Sequence, residues 1–373
     1  MSKKTGFIYD ESYFWHDTGN GALFMRPGGW IESDVHSENP ATKRRVKNLL
    51  DRIGFIHELK SIAPRSASTD EIAFYHTPEY IEKVKTLSDG MGGDAGQAAI
   101  VGTGSYEIAL LSTGGALTGV DTVMSGQVQN AYVLTRPPGH HAEKEMGMGF
   151  CLFNNVVIAA HYARKKYGLN KILIVDWDVH HGNGTENAFL DDPNVLFVSL
   201  HQEFSFPPHR GMAEVIGEGE GTGYNINIPL PAGTGNAGYL YAIEEILTPV
   251  ADQFQPDLVI VSAGQDPSVF DPLAQMMVTA DGFYQIASKV KQIADKHCSG
   301  KMVVCHEGGY SSAYVPFCTL RVIEAISELQ SKVTEDPFQL GVESLPTNVL
   351  LEHQKAVVEH MKQLHREYWT FSS

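Results

Sequence analysis

A chain of 373 residues, 43% hydrophobic and 19% charged, is ordinary for a globular protein and can bury a sizeable core; a single domain over residues 1–373 is expected. Its net charge of −16 argues against a nucleic-acid-binding face, which needs clustered Lys and Arg, and suits either a cationic partner or plain solubility. Cys151, Cys298, Cys305 and Cys318 lack the paired spacing of a structural zinc or redox motif, and no apolar run approaches the roughly 20 residues of a membrane span. The start MSKKTGFIYD has no apolar stretch behind its basic residues, so a soluble, cytoplasmic protein is expected.

In chain order, YFWHDTGNG and Ser88–Gly104 read as loops at the rim of a site. Short β-branched or apolar runs then alternate with helical patterns. The runs are Ala131–Leu134, Lys171–Asp176, Val195–Leu200, Leu258–Ala263 and Met302–Cys305; the helices are Asn154–Tyr167, Tyr239–Phe254 with a kink at Pro249, and Asp281–His297. His201–Gly223 is a third rim segment. This alternation predicts βαβ units around a mainly parallel sheet covered on both faces, with ligands at the carboxyl ends of the strands.

The chemistry gathers at those ends. DWDVHHGNGT follows the buried run KILIV, and a strand period of two puts Asp176, Asp178 and His180 on one side. Taken alone these are turn and capping residues, but five such polar groups in eight positions beside a buried strand favour a metal site. Asp266, beyond LVIVSA, completes an Asp, His, Asp set with room for a fourth ligand, the pattern of catalytic zinc. Two carboxylates offset a divalent ion's charge, so water beside it is acidified less and a general base becomes necessary. His140 and His141 in RPPGHHAEKEMGMGFC supply candidates, with Asp176 and Asn183 available to fix their tautomers. Tyr310, behind two glycines in HEGGY, is placed to donate to an oxyanion, and Phe150 and Phe206 to wall a linear side chain; each alone reads equally as core.

Pro137–Phe150, Asp176–Thr185, Gly264–Leu273 and Glu307–Tyr310 together resemble the motifs of the classical zinc-dependent histone deacetylases. The resemblance runs from FWHDTG to about Cys318 and is closest to the class II enzymes and bacterial histone deacetylase-like amidohydrolases. It implies an arginase/deacetylase-like three-layer α/β fold and hydrolysis of acyl-lysine amides by metal-activated water. By motif position it implies one catalytic Zn2+ on Asp178, His180 and Asp266, with His140, His141, Asp176, Asn183 and Tyr310 catalytic. It likewise implies an acyl-lysine tunnel lined by Phe150, Phe206 and Gly149, and one or two structural K+ ions. The inner K+ site falls on Asp176, Asp178, His180, Ser199 and Leu200; the outer on Phe189 and Val195, where Asp192 departs from the usual residue type.

Asn183 replaces the second dyad aspartate of class I enzymes, in agreement with class II, and Gln265 and Pro267 replace an aromatic and a small residue beside Asp266. A rim aspartate that holds substrate backbone corresponds to Asp94, with Gln97 close to the same place. Leu273 stands where the polyamine-specific branch carries a glutamate, which favours acyl-lysine over acetylpolyamine as substrate. A binuclear manganese ureohydrolase needs more carboxylates than these motifs offer, and a non-catalytic acyl-amine sensor would lack one of the catalytic groups. Bacterial members suggest a homo-oligomer.

Overall fold

Lys171–Asp176 and Leu258–Ala263 are apolar at successive positions, and such strands need cover on both faces. The computed structural model, which describes residues 4–371, provides it. Eight strands form one sheet: β1 Thr5–Ile8, β2 Lys60–Ile62, β3 Asn130–Val133, β4 Ile172–Asp176, β5 Val195–Gln202, β6 Asn225–Leu230, β7 Leu258–Ala263 and β8 Met302–His306. Their order is β6-β5-β4-β7-β8-β3-β1-β2, and every neighbouring pair is parallel.

The main helices are α1 Ala41–Ile53, α2 Pro78–Asp89, α3 Ser105–Met124, α4 Asn155–Tyr167, α5 Asn183–Phe189, α6 Asn236–Ala242, α7 Ala280–Cys298, α8 Val315–Ser327 and α9 Glu352–His365. Alternation along each strand sorts its side chains between two apolar cores. Ile172, Ile174, Leu258 and Ile260 pack under α2, α3 and α4, whereas Leu173, Val175, Val259 and Val261 pack under α1, α6, α7, α8 and α9. Helix ends follow local chemistry: the Asn154 side chain accepts from the Val157 N–H to start α4, and Gly168, at φ +65°, ends it.

The expected helix Tyr239–Phe254 is interrupted. α6 gives way to a π turn over Ile243–Leu247, and an α-helix resumes at Thr248–Phe254. Pro249, which has no N–H to give to the helical ladder, follows directly on that π turn.

From β4 the chain builds outward to β5 and β6, then crosses back to β7 and β8 on the other side. The carboxyl ends of β4 and β7 flank that reversal, the crevice where ligands bind in such sheets. Asp176 closes β4, level with Ser199 of β5 and Ser262 of β7.

Candidate metal centre and active site

The strand period does not continue past Asp176: β4 stops there, and Asp178 and His180 lie in the turn that follows. The side chains therefore divide. Asp176 Oδ2 faces His140 Nδ1 at 2.9 Å, while Asp178 and His180 converge on Asp266. His180 Nδ1 lies 3.2 Å from Asp178 Oδ1 and 3.0 Å from Asp266 Oδ2. Backbone donors hold the carboxylates: Asp178 accepts from the N–H groups of His180 (2.9 Å) and Gly308 (2.8 Å), and Asp266 from that of Val179 (2.9 Å). Gly264 and Gly308 make room for them, since a Cβ on Gly308 would sit 2.2 Å from Asp266 Oδ2 and one on Gly264 2.2 Å from Asp178 Oδ2. Of the two glycines before Tyr310, only Gly309 (φ +123°) uses glycine's conformational freedom.

This donor set fits a divalent cation. All three side chains are buried, and two carboxylates so close need a positive partner. Burial and the Asp178 charge push Asp266 up to about 6. Burial opposes charging of His180, yet its hydrogen bonds to Asp178 and Asp266 push it up to about 10. One imidazole nitrogen and two carboxylates suit zinc, which relieves both shifts at once. Among the described residues, His140, Cys151 and Glu307 also converge. There, however, Glu307 Oε2 accepts from the Gly139 N–H at 2.6 Å and burial pushes the Cys151 thiol well up.

The tandem histidines differ through their partners. Asn183 Nδ2 donates to Glu143 Oε1 at 2.8 Å, so its Oδ1 accepts from His141 Nδ1 at 2.9 Å. That puts the proton on Nδ1 and leaves the Nε2 lone pair free. Burial, then the charges of His140 and His180, holds His141 well below the usual imidazole range. Burial opposes charging of His140 too, but Asp178 and Asp176 push it up to about 10. The two imidazoles, 4.0 Å apart ring to ring, thus differ in basicity through their Asp176 and Asn183 partners.

The Tyr310 ring meets Phe150 edge-on at 5.8 Å, and Phe206 meets His141 edge-on at 5.0 Å. A Cβ on Gly149 would lie 2.5 Å from His141 and 2.7 Å from Phe206, so glycine keeps this gap clear. Burial raises the Tyr310 hydroxyl well above its ordinary value, keeping it a neutral donor. Leu273 is half-buried, its N–H donating to Asp271 Oδ1 at 2.9 Å. Asp94 is engaged in its own loop, accepting from the N–H groups of Gly96 (2.9 Å), Ala98 (3.2 Å) and Ala99 (3.0 Å). That loop braces the wall, because Gln97 and Ala98 carbonyls accept from Gly149 and Phe150 N–H groups. Ser199 Oγ faces His201 Nδ1 at 2.9 Å, and Leu200 is core. Phe189 is buried and Val195 opens β5; between them Asp192 pairs with Arg164.

Several residues have supporting roles that the sequence does not reveal. Gln265 is fully buried, donating to the Tyr132 hydroxyl at 3.4 Å and the Ala263 carbonyl at 3.3 Å, and Tyr132 OH lies 2.7 Å from His306 Nδ1. A polar side chain beside Asp266 thus serves a polar network behind the site. The Pro267 carbonyl accepts from the Val278 N–H. Glu38 forms a buried pair with Arg136 (3.0 Å) and Lys43 (3.2 Å), and the Arg136 guanidinium donates to the carbonyls of Tyr13 and His16. Asp271 accepts from the Tyr310 N–H at 2.8 Å. Each lies outside the motifs or is an ordinary surface type, so only its burial reveals it.

Residues 36–326 match the histone deacetylase domain family. The chain is 42% identical to a histone deacetylase-like amidohydrolase of Pseudomonas aeruginosa, over 97% of this chain and 96% of that protein. It is 33% identical to a probable deacetylase of Archaeoglobus fulgidus, over 98% of each. It is 37% identical to the polyamine deacetylase HDAC10 of Homo sapiens over 75% of this chain and 43% of that one. The crystal structure of the HDA15 HD domain superposes with a TM-score of 0.86 at 30% identity, covering 99% of this chain and 96% of that one. The fold is therefore the arginase/deacetylase-like α/β fold, and the chain is a hydrolase acting on amide bonds. It belongs to the histone deacetylase family, whose members are zinc-dependent.

Proposed function

We propose that the protein removes acetyl or other short acyl groups from lysine side chains, using one zinc ion held by Asp178, His180 and Asp266. The convergence of those three side chains beside an Asp-paired and an Asn-paired imidazole carries this reading. Zn2+ there would supply Lewis acidity to a water molecule and to the acyl carbonyl. The free Nε2 of His141 accepts a proton from the attacking water and returns it to the leaving amine as the C–N bond breaks. His140, paired with Asp176, holds positive charge beside the developing oxyanion, and the Tyr310 hydroxyl donates to it. Phe150, Phe206 and Gly149 guide the aliphatic stem of the substrate. Y310F is expected to lower kcat on an acetyl-lysine peptide about 10²–10³-fold.

Acyl-lysine is preferred over acetylpolyamine because Leu273 offers no charge to a second amine. Higher kcat/KM on an acetyl-lysine peptide than on acetylspermidine or acetylputrescine is the expected result; selective turnover of the polyamines would reverse the assignment. Further parts of the reading are a single catalytic domain over residues 1–373 and K+ at Asp176, Ser199 and Leu200 and at Phe189 and Val195. Asp94 is read as holding substrate backbone at the rim. A cytoplasmic location accords with the lack, among the described residues, of any helix long and apolar enough to cross a membrane. Exposed Phe24, Met25 and Trp30 near the N-terminus favour a homo-oligomer.

A further inference from the structure

Tyr310 ends a segment with little stiffness of its own, because Gly308 and Gly309 precede it and Gly309 lies at φ +123°. Its ring touches its neighbours edge-on, and its hydroxyl hydrogen-bonds to none of the described residues. What fixes its backbone is the hydrogen bond from its N–H to Asp271 Oδ2 at 2.8 Å. The other oxygen of that carboxylate accepts from the Leu273 N–H at 2.9 Å, and the Asp271 N–H donates to the Ser268 carbonyl at 3.0 Å. The Asp271 side chain thus holds the Tyr310 amide and the Leu273 wall together, while the Gln265 N–H and Asp178 Oδ2 hold the preceding Gly308 at 2.9 and 2.8 Å.

We propose that Asp271 is a positioning residue for hydrolysis: its carboxylate sets where the Tyr310 hydroxyl meets the acyl oxygen, and links that position to Leu273 at the wall. The proposal rests on the oxyanion role given to Tyr310 above. Stabilisation of developing charge depends steeply on donor placement, a displacement of about 1 Å costing on the order of 10²-fold.

D271A removes both acceptors, while D271N keeps the shape and one oxygen. In zinc-loaded protein D271A should lower kcat on an acetyl-lysine peptide roughly 10–100-fold, and D271N less. KM should change less than kcat, because Phe150, Phe206 and Gly149 along the tunnel are untouched and only the Leu273 wall loses a tether. Amide hydrogen exchange in the segment containing Tyr310 should speed up in both variants. In the Y310F background the same substitutions should have almost no further effect on kcat, since no hydroxyl is left to misplace. Equal fold-losses in both backgrounds would overturn the proposal, because Asp271 would then act through Asp266 or through the fold. Unchanged kcat in folded D271N and D271A would also overturn it. Unchanged kcat in Y310F alone would refute the role of Tyr310 and take the proposal with it. If D271A fails to fold, D271N and its exchange pattern carry the same comparison.

Discussion

Asn183 decides how the two histidines divide their work. Its amide nitrogen is committed to Glu143, so its oxygen must take the His141 Nδ1 proton, and the base stays neutral. In N183D a carboxylate would favour the imidazolium instead. The acidic limb of the kcat/KM profile should then move to higher pH by roughly one to two units. An acidic limb that stays in place would refute the separation of roles. The chemical residues were legible in the sequence because each stands in a polar run directly after an apolar strand. Gln265 and Asp271 were not, because what they do depends on Tyr132 and Tyr310, distant in sequence.

At the level of elements, the N-terminal segment is tied to the tandem-histidine loop by the buried pair of Glu38 and Arg136, with Lys43 beside it. Burial opposes ionisation of Glu38, but the two cations hold its carboxyl far below the usual range. Its contribution to stability is present above the ordinary carboxylate value and is lost as pH falls through the depressed one. E38Q leaves two buried cations without a counter-charge and should destabilise the fold by about 3–5 kcal/mol in denaturant titrations. A loss under about 1 kcal/mol would mean that water already reaches the pair.

The same element scale explains which parts of the fold could be read. The apolar runs of β4, β5, β7 and β8 stand out, whereas β2 has only three residues. β6 interleaves Asn225 and Asn227, which bond to Glu186 rather than to water. α3 shows no amphipathic pattern because it is buried on several sides. A Cβ on its Gly114 would lie 1.8 Å from the Arg65 carbonyl, and one on Gly115 2.4 Å from the Tyr13 hydroxyl.

Across the whole molecule, several histidines are kept neutral by burial. His16, His76 and His201 are pushed down to about 3, and His365 to about 4. Each is neutral when folded and gains a proton when unfolded below its ordinary value of 6.5. Their stabilisation is thus complete above that pH and declines as pH falls below it, by about 1.4 kcal/mol per unit for each. Asp266, Asp271 and Glu307, raised by burial to about 6, 8 and 7, take up protons in the folded state over the same interval and offset part of this decline, so the denaturation midpoint should drop only modestly from about pH 6.5 to about pH 5. Imidazole NMR signals of these four histidines that titrate near pH 6.5 in the folded protein would contradict this.

The metal centre is tested most directly by stripping the protein with a chelator and titrating Zn2+ back while following hydrolysis of an acetyl-lysine peptide. Asp178, His180 and Asp266 form one site, so activity should return in proportion to added zinc and saturate at one ion per chain. Saturation at two ions, recovery only with manganese, or full activity in the stripped protein would contradict the account.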